Sequence, residues 1–84
     1  MVAKTPDWYM RYIGNQVRQL RVANGFSQKD LSRELNCSHD YFWRIENGTT
    51  VPTIHFLVAL AYRFEVDIAS FFPGPATKKA NDTV

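Results

Sequence analysis

The stretch SQKDLSRELNCSHDYFWRIENG, Ser27 to Gly48, reads as two short helices joined by a tight corner. Ser27 offers a hydroxyl cap to the first helix, with Asp30 at N3 as a shortened capping box, and Leu31 and Leu35 then fall on one face. That helix is predicted to end near Leu35. Asn36 accepts left-handed dihedrals and Ser38 is again a capping residue, so the chain turns sharply and restarts at once. Cys37, pinned between them, is expected to point inward. Chains of this geometry usually present the second helix to DNA.

On the N-terminal side, Thr5, Pro6 and Asp7 form a helix start: a hydroxyl cap, a proline at the first helical position and an acid where the dipole favours it. Ile13, Val17 and Leu20 repeat at helical spacing as a buried stripe, and Gly25 supplies the stop, giving a helix of about five turns. Trp8, Tyr9 and Tyr12 make its first part aromatic. They either cover one end of the core or form a patch that faces a partner.

After Gly48, the loop Thr49-Thr50-Val51 closes on Pro52, and Thr53 caps a fourth helix whose apolar stripe is Leu57, Leu60, Ala61 and Phe64. Glu65-Val66-Asp67 breaks that pattern. Asp67 can cap a fifth, short helix carrying Ile68, Phe71 and Phe72, which Pro73-Gly74-Pro75 then ends. The reading is all-α: a flexible N-terminal arm over 1–4, one five-helix domain over 5–72, and a disordered tail over 73–84.

Eighty-four residues with 45% hydrophobic content support one small core and no second domain. A single cysteine forms no internal disulfide and fits a reducing compartment. No apolar run approaches the roughly 20 residues of a membrane span, and Met1 to Thr5 lacks the core of a signal peptide. A cytoplasmic protein with no membrane role is expected. The net charge of +2 is weak evidence for a polyanionic partner, so distribution must carry that case. Asp30 and Asp67 serve helix starts and Glu46 suits an internal pair, which leaves Arg11, Arg18, Lys29, Arg33, Arg44 and Arg63 for the surface.

With the two helices and their corner placed, the chain resembles the XRE-type, phage-repressor-like helix-turn-helix family, and so a lambda-repressor-like domain with the motif at helices 2 and 3. The likeness covers about Ile13 to Phe72: the Ile13-to-Arg21 pattern, Ser27-Gln28, Arg44-Ile45-Glu46-Asn47-Gly48, Pro52-Thr53, Leu60-Ala61 and Phe71-Phe72. It implies that helix three, about His39 to Asn47, lies in the major groove of double-stranded DNA. Phe42 and Ile45 match inward positions, while His39, Asp40, Trp43 and Arg44 face outward by periodicity and are the candidates for base contact. Arg44 can donate two bonds to guanine O6 and N7. Asp40 accepts from a cytosine amino group or merely favours the helix start; His39 meets a base or a phosphate, or idles; Trp43 packs on a thymine methyl or the sugar-phosphate edge, or only shields the helix side.

The resemblance also implies phosphate contacts at Gln28, at Asn47 and through the Tyr41 hydroxyl, with Ser27 assisting. It implies an internal ion pair between Arg21 and Glu46. Three places depart from the family pattern: Trp43 stands where a small polar residue is common, Thr49-Thr50-Val51 lacks a lysine or arginine, and Glu65 stands where a left-handed glycine is usual. One recognition helix reads few base pairs, so a homodimer on a pseudo-palindromic operator is expected, with half-sites about one DNA turn apart. Ile68, Phe71 and Phe72 are the expected dimer contacts. With no appended sensor domain in the sequence, no small-molecule ligand or cofactor is expected, and control passes to concentration. An autoregulatory restriction-modification controller is favoured over a phage Cro-like repressor, and an antitoxin-type protein-binding module is the third alternative. An enzyme is not expected: His39 and Asp40 diverge on a helix, Cys37 is inward and His55 is isolated, so no catalytic or metal-binding cluster assembles.

Overall fold

The computed structural model describes residues 4–74. Four hydroxyl caps start four helices: Thr5 accepts from the Trp8 amide, Ser27 from Asp30, Ser38 from Tyr41 and Thr53 from Phe56. Each satisfies an amide the helix would otherwise leave bare, a contribution of about 1 kcal/mol apiece. The helices are α1 (Pro6–Ala23), α2 (Gln28–Glu34), α3 (His39–Glu46) and α4 (Ile54–Phe64). Asp30 does not complete the capping box. Its carboxylate turns instead toward Arg33, 3.5 Å away on the open surface, where an ion pair adds little.

The helices also end alike. Gly25, Asn36, Gly48 and Glu65 have φ of 76°, 59°, 71° and 56°. In each case the next amide bonds back into the helix: Phe26 to the Arg21 carbonyl, Cys37 to Ser32, Thr49 to Arg44 and Val66 to Ala61. This is the Schellman closure, which needs one left-handed residue per joint. At Glu65 the turn usual for glycine forms with a side chain present, at a conformational cost of about 1–2 kcal/mol.

The last element corrects the expected fifth helix. Asp67 does cap it, accepting from the Ala69 amide, but Ile68–Phe71 is a single 3-10 turn of 4 residues. Between the Glu65 joint and Pro73 there is too little chain to repay α-helix nucleation, and the tighter pattern closes with Ser70 to Asp67 and Phe72 to Ala69 bonds. Gln16 of α1 fastens the turn, its amide donating to the Ser70 carbonyl at 3.2 Å.

The core gathers the predicted stripes. Ile13 and Val17 of α1, Leu31 of α2, Phe42 and Ile45 of α3, and Leu57, Leu60 and Ala61 of α4 are all buried, joined by Phe56 and Phe71. Leu20, Leu35, Cys37 and Phe64 pack against them half-buried. Phe71 is 1% exposed, so the protomer's own core consumes the ring expected at a dimer contact. Ile68 is half-buried against the same core, and only Phe72, at 37%, offers open surface.

Trp8, Tyr9 and Tyr12 stand apart from the core residues. Trp8 stacks on Tyr12 at 5.2 Å and meets Tyr9 edge-on at 5.1 Å, a satellite cluster rather than a core lid. Among the described residues there is no strand, and no helix is long and apolar enough to cross a membrane. The expected arm over 1–4 and tail over 73–84 fall almost wholly outside those residues.

Candidate nucleic-acid interface

Glu46 ends α3 with its side chain 2% exposed, and three helices meet at its carboxylate. It accepts from Arg21 Nε at 2.7 Å and Nη2 at 3.1 Å, and from Gln28 Nε2 at 2.9 Å. Arg21 Nη1 donates in turn to the Phe26 carbonyl at 2.8 Å. Desolvation offsets most of the attraction in such a buried pair, so its net stabilisation is small, but the two-pronged geometry fixes how α3 lies across α1 and α2. The internal pair implied by resemblance is therefore present, and Gln28 belongs to it.

Gln28 passes the same order outward. With its Nε2 committed to Glu46, its Oε1 faces His39 Nε2 at 3.2 Å, so the histidine nitrogen must donate. His39 thus has one ring nitrogen engaged and Nδ1 free. Gln28 keeps a second amide hydrogen for a further acceptor.

His39, Asp40, Trp43 and Arg44 are all exposed, opposite the buried Phe42 and Ile45. Asp40 and Arg44, one turn apart, pair at 2.9 Å with side chains 72% and 57% exposed. At that exposure the contact adds little stability; its effect is to hold the guanidinium alongside α3. Trp43 is 48% exposed and, with His39 and Asp40, lines a cleft of about 270 Å³. A flat apolar wall beside polar groups suits a base edge or methyl group.

The other expected contacts border this face. Ser27 is engaged as the cap of α2. Asn47 caps the other end of α3, its amide donating to the Trp43 carbonyl at 2.9 Å. The Tyr41 ring packs edge-on against Phe56 at 5.7 Å, and its hydroxyl oxygen accepts from the Thr53 amide at 3.1 Å. The phenol therefore ties α3 to the start of α4, with its own hydrogen left to donate. Cys37 is half-buried, and burial raises its thiol pKa, which keeps it protonated and a poor nucleophile. Among the described residues no group of three His, Cys, Asp or Glu side chains is placed to hold a metal ion.

Two features escaped the reading of the sequence. Gly14 is buried where α1 crosses α3, its Cα lying so close to the Ile45 and Glu46 carbonyls that no Cβ fits; a lone glycine inside a helical pattern was the available signal. Ile54, Val58 and Tyr62 of α4 are 65%, 48% and 86% exposed, an outward apolar stripe written in their four-residue spacing.

Comparison with known proteins agrees with this geometry. The profile of a helix-turn-helix domain family matches residues 13–69. The chain is 41% identical over 61 residues to the HTH-type transcriptional regulator RamB of Mycobacterium tuberculosis, covering 73% of this chain and 13% of that protein. It is 31% identical over 71 residues to the propionyl-CoA carboxylase regulator of Cereibacter sphaeroides, covering 84% and 15%. The matched region spans about a seventh of these curated relatives' length. Among solved structures, the restriction-modification controller protein C.AhdI of Aeromonas hydrophila superposes with a TM-score of 0.69 at 24% identity, over 75% of this chain and 96% of that one, a likeness of fold. An HTH_3 family transcriptional regulator from Vibrio cholerae gives 0.71 at 28% identity, over 80% and 38%.

Proposed function

Because the chain belongs to the helix-turn-helix domain family, we propose that it is a sequence-specific DNA-binding regulator of transcription, with α3 in the major groove. The observation that carries this reading is the build of α3. One face is anchored by Phe42 and Ile45, the other bares His39, Asp40, Trp43 and Arg44, and the Glu46 network locks its angle. Eight residues at about 1.5 Å each give about 12 Å, a length that meets about three base-pair steps of roughly 3.4 Å.

Within that frame Arg44 reads guanine through O6 and N7, Asp40 accepts from a cytosine amino group, His39 offers Nδ1 to a base donor, and Trp43 packs on a thymine methyl. Gln28 donates its second amide hydrogen to a phosphate, with Ser27, Tyr41 and Asn47 beside it. These phosphate contacts fix register without reading sequence.

So short a reading head needs a second copy. A homodimer on a pseudo-palindromic operator, with half-sites about one helical turn apart, meets that need. The surface that supports it is the α4 stripe of Ile54, Val58 and Tyr62, rather than the buried Phe71. Concentration-dependent dimerisation then makes autoregulation the mode of control, in the manner of a restriction-modification controller. The fold match to one such controller, over 96% of its chain and 75% of this one, is in keeping with that choice.

Selection of bound sites from random DNA tests the reading directly. Arg44→Ala is expected to relax preference at one guanine per half-site at a loss of about 1–3 kcal/mol; Gln28→Ala, which removes a phosphate donor and also frees His39 and one side of Glu46, lowers affinity for every sequence. Unchanged affinity and site preference in both variants would overturn the assignment.

A further inference from the structure

Seven residues separate Arg11 from Arg18, which sets them along one line of α1, and Lys4 stands seven residues before Arg11, just ahead of the helix. All three are exposed. Arg21, Arg33, Arg44 and Arg63 each pair with a carboxylate, whereas among the described residues Lys4, Arg11 and Arg18 form no ion pair.

The line borders α3. Gly14 rests on the carbonyls of Ile45 and Glu46, and Arg21 grips Glu46. One turn before Gly14, Arg11 packs on Gly48: a Cβ on that glycine would lie 2.8 Å from Arg11 Cγ and 3.0 Å from its Cα. The stem of Arg11 therefore lies where the chain leaves the recognition helix, at the start of Thr49-Thr50-Val51, a loop with no basic side chain of its own. Just ahead of α1, Lys4 holds its Nζ 4.9 Å over the Trp8 ring, which is itself stacked on Tyr12. Ring faces fix that cation in place.

We propose that this edge of α1, with Arg11 at its centre and Lys4 at its end, binds phosphodiester oxygens of the DNA strand flanking the groove that α3 occupies. It supplies from α1 the positive charge that the α3–α4 loop lacks. The assignment rests on the reading of α3 as a recognition helix. It also gives the aromatic start of α1 a purpose: Trp8, stacked on Tyr12, holds its ring face beneath the Lys4 cation.

Fluorescence anisotropy on a duplex selected from random DNA, titrated with salt, tests it. Arg11→Gln keeps the stem on Gly48 and removes the charge. Losing one phosphate contact lowers the slope of log affinity against log salt by about 0.9, which is about eightfold weaker binding at about 0.1 M salt. Arg11→Lys retains the wild-type slope, Arg63→Ala on α4 leaves it unchanged, and base preference is the same in every variant. A wild-type slope in Arg11→Gln, or an equal fall in Arg63→Ala, overturns the proposal while site-selective binding by the wild type leaves the function of α3 standing. A wild type that binds no duplex overturns both.

Discussion

Replacing Gly14 with alanine tests the contact on which the whole interface is built. A Cβ there would press into the Ile45 carbonyl and lie 2.8 Å from the Glu46 oxygen and 3.0 Å from its carbon. Ordinary C···O contacts are about 3.3–3.6 Å. All these atoms are backbone of the last turn of α3, so no side chain can swing aside and the two helices must part by about 1 Å. Alanine gains about 1 kcal/mol of helix propensity over glycine. Against that stand about 1–3 kcal/mol of overpacking and the stretching of the Arg21–Glu46 bonds, whose carboxylate is 2% exposed and whose rupture costs about 3–5 kcal/mol. A partial rupture leaves a net loss of about 2 kcal/mol, or about 10 °C in Tm for a domain of this size. Thermal and urea denaturation followed by circular dichroism measure it, and site selection reports whether α3 still sits correctly. A Gly14→Ala protein at or above the wild-type Tm would mean that propensity alone governs the position, and the close crossing of α1 and α3 would be refuted.

Glu65→Gly removes a side chain from left-handed backbone and is expected to raise stability by about 1 kcal/mol after glycine's extra unfolded-state entropy is subtracted; a lower urea midpoint would contradict the strain assigned there. Glu46→Gln leaves Arg21, 13% exposed, without its counter-charge and should destabilise by about 3 kcal/mol, while the conservative alternative of no change in Tm would show that the pair does not orient α3. Charges on the α4 stripe, in Val58→Glu and Tyr62→Glu, should yield folded monomers by light scattering, and dimers persisting at micromolar concentration would locate the interface elsewhere. Phe71→Ala should instead lower stability by about 3–5 kcal/mol as a core deletion; a variant of wild-type Tm that loses only its dimer would return that ring to the interface.

Local chemistry explains what the sequence disclosed. Caps at Thr5, Ser27, Ser38 and Thr53 and the inward Leu31, Phe42 and Ile45 follow from neighbouring residues alone, and all stand in the structure. The Arg21–Glu46 pair joins residues far apart in sequence, and the family resemblance, not periodicity, pointed to it. Features set by three-dimensional packing stayed hidden. Phe71, expected at a dimer contact, is aimed inward because the last element closes as a 3-10 turn. The Gln28–His39 bond and the Gly48–Arg11 contact depend on how the helices cross. The exposed stripe of α4 was legible in spacing, but an apolar residue is by default assigned to a core, and only packing shows which ones the core leaves out.

The four left-handed joints bear on how fast this chain finds its shape. Each bends the backbone by means of bonds that reach back only a few residues, from Phe26, Cys37, Thr49 and Val66. The direction of each following helix is thus biased before distant side chains have met, and little loop-closure entropy remains to be overcome by long-range contacts. Helical domains whose contacts are mostly local fold in microseconds to milliseconds. The direction of α3 is therefore set early, before Arg21, 25 residues away on α1, closes on Glu46.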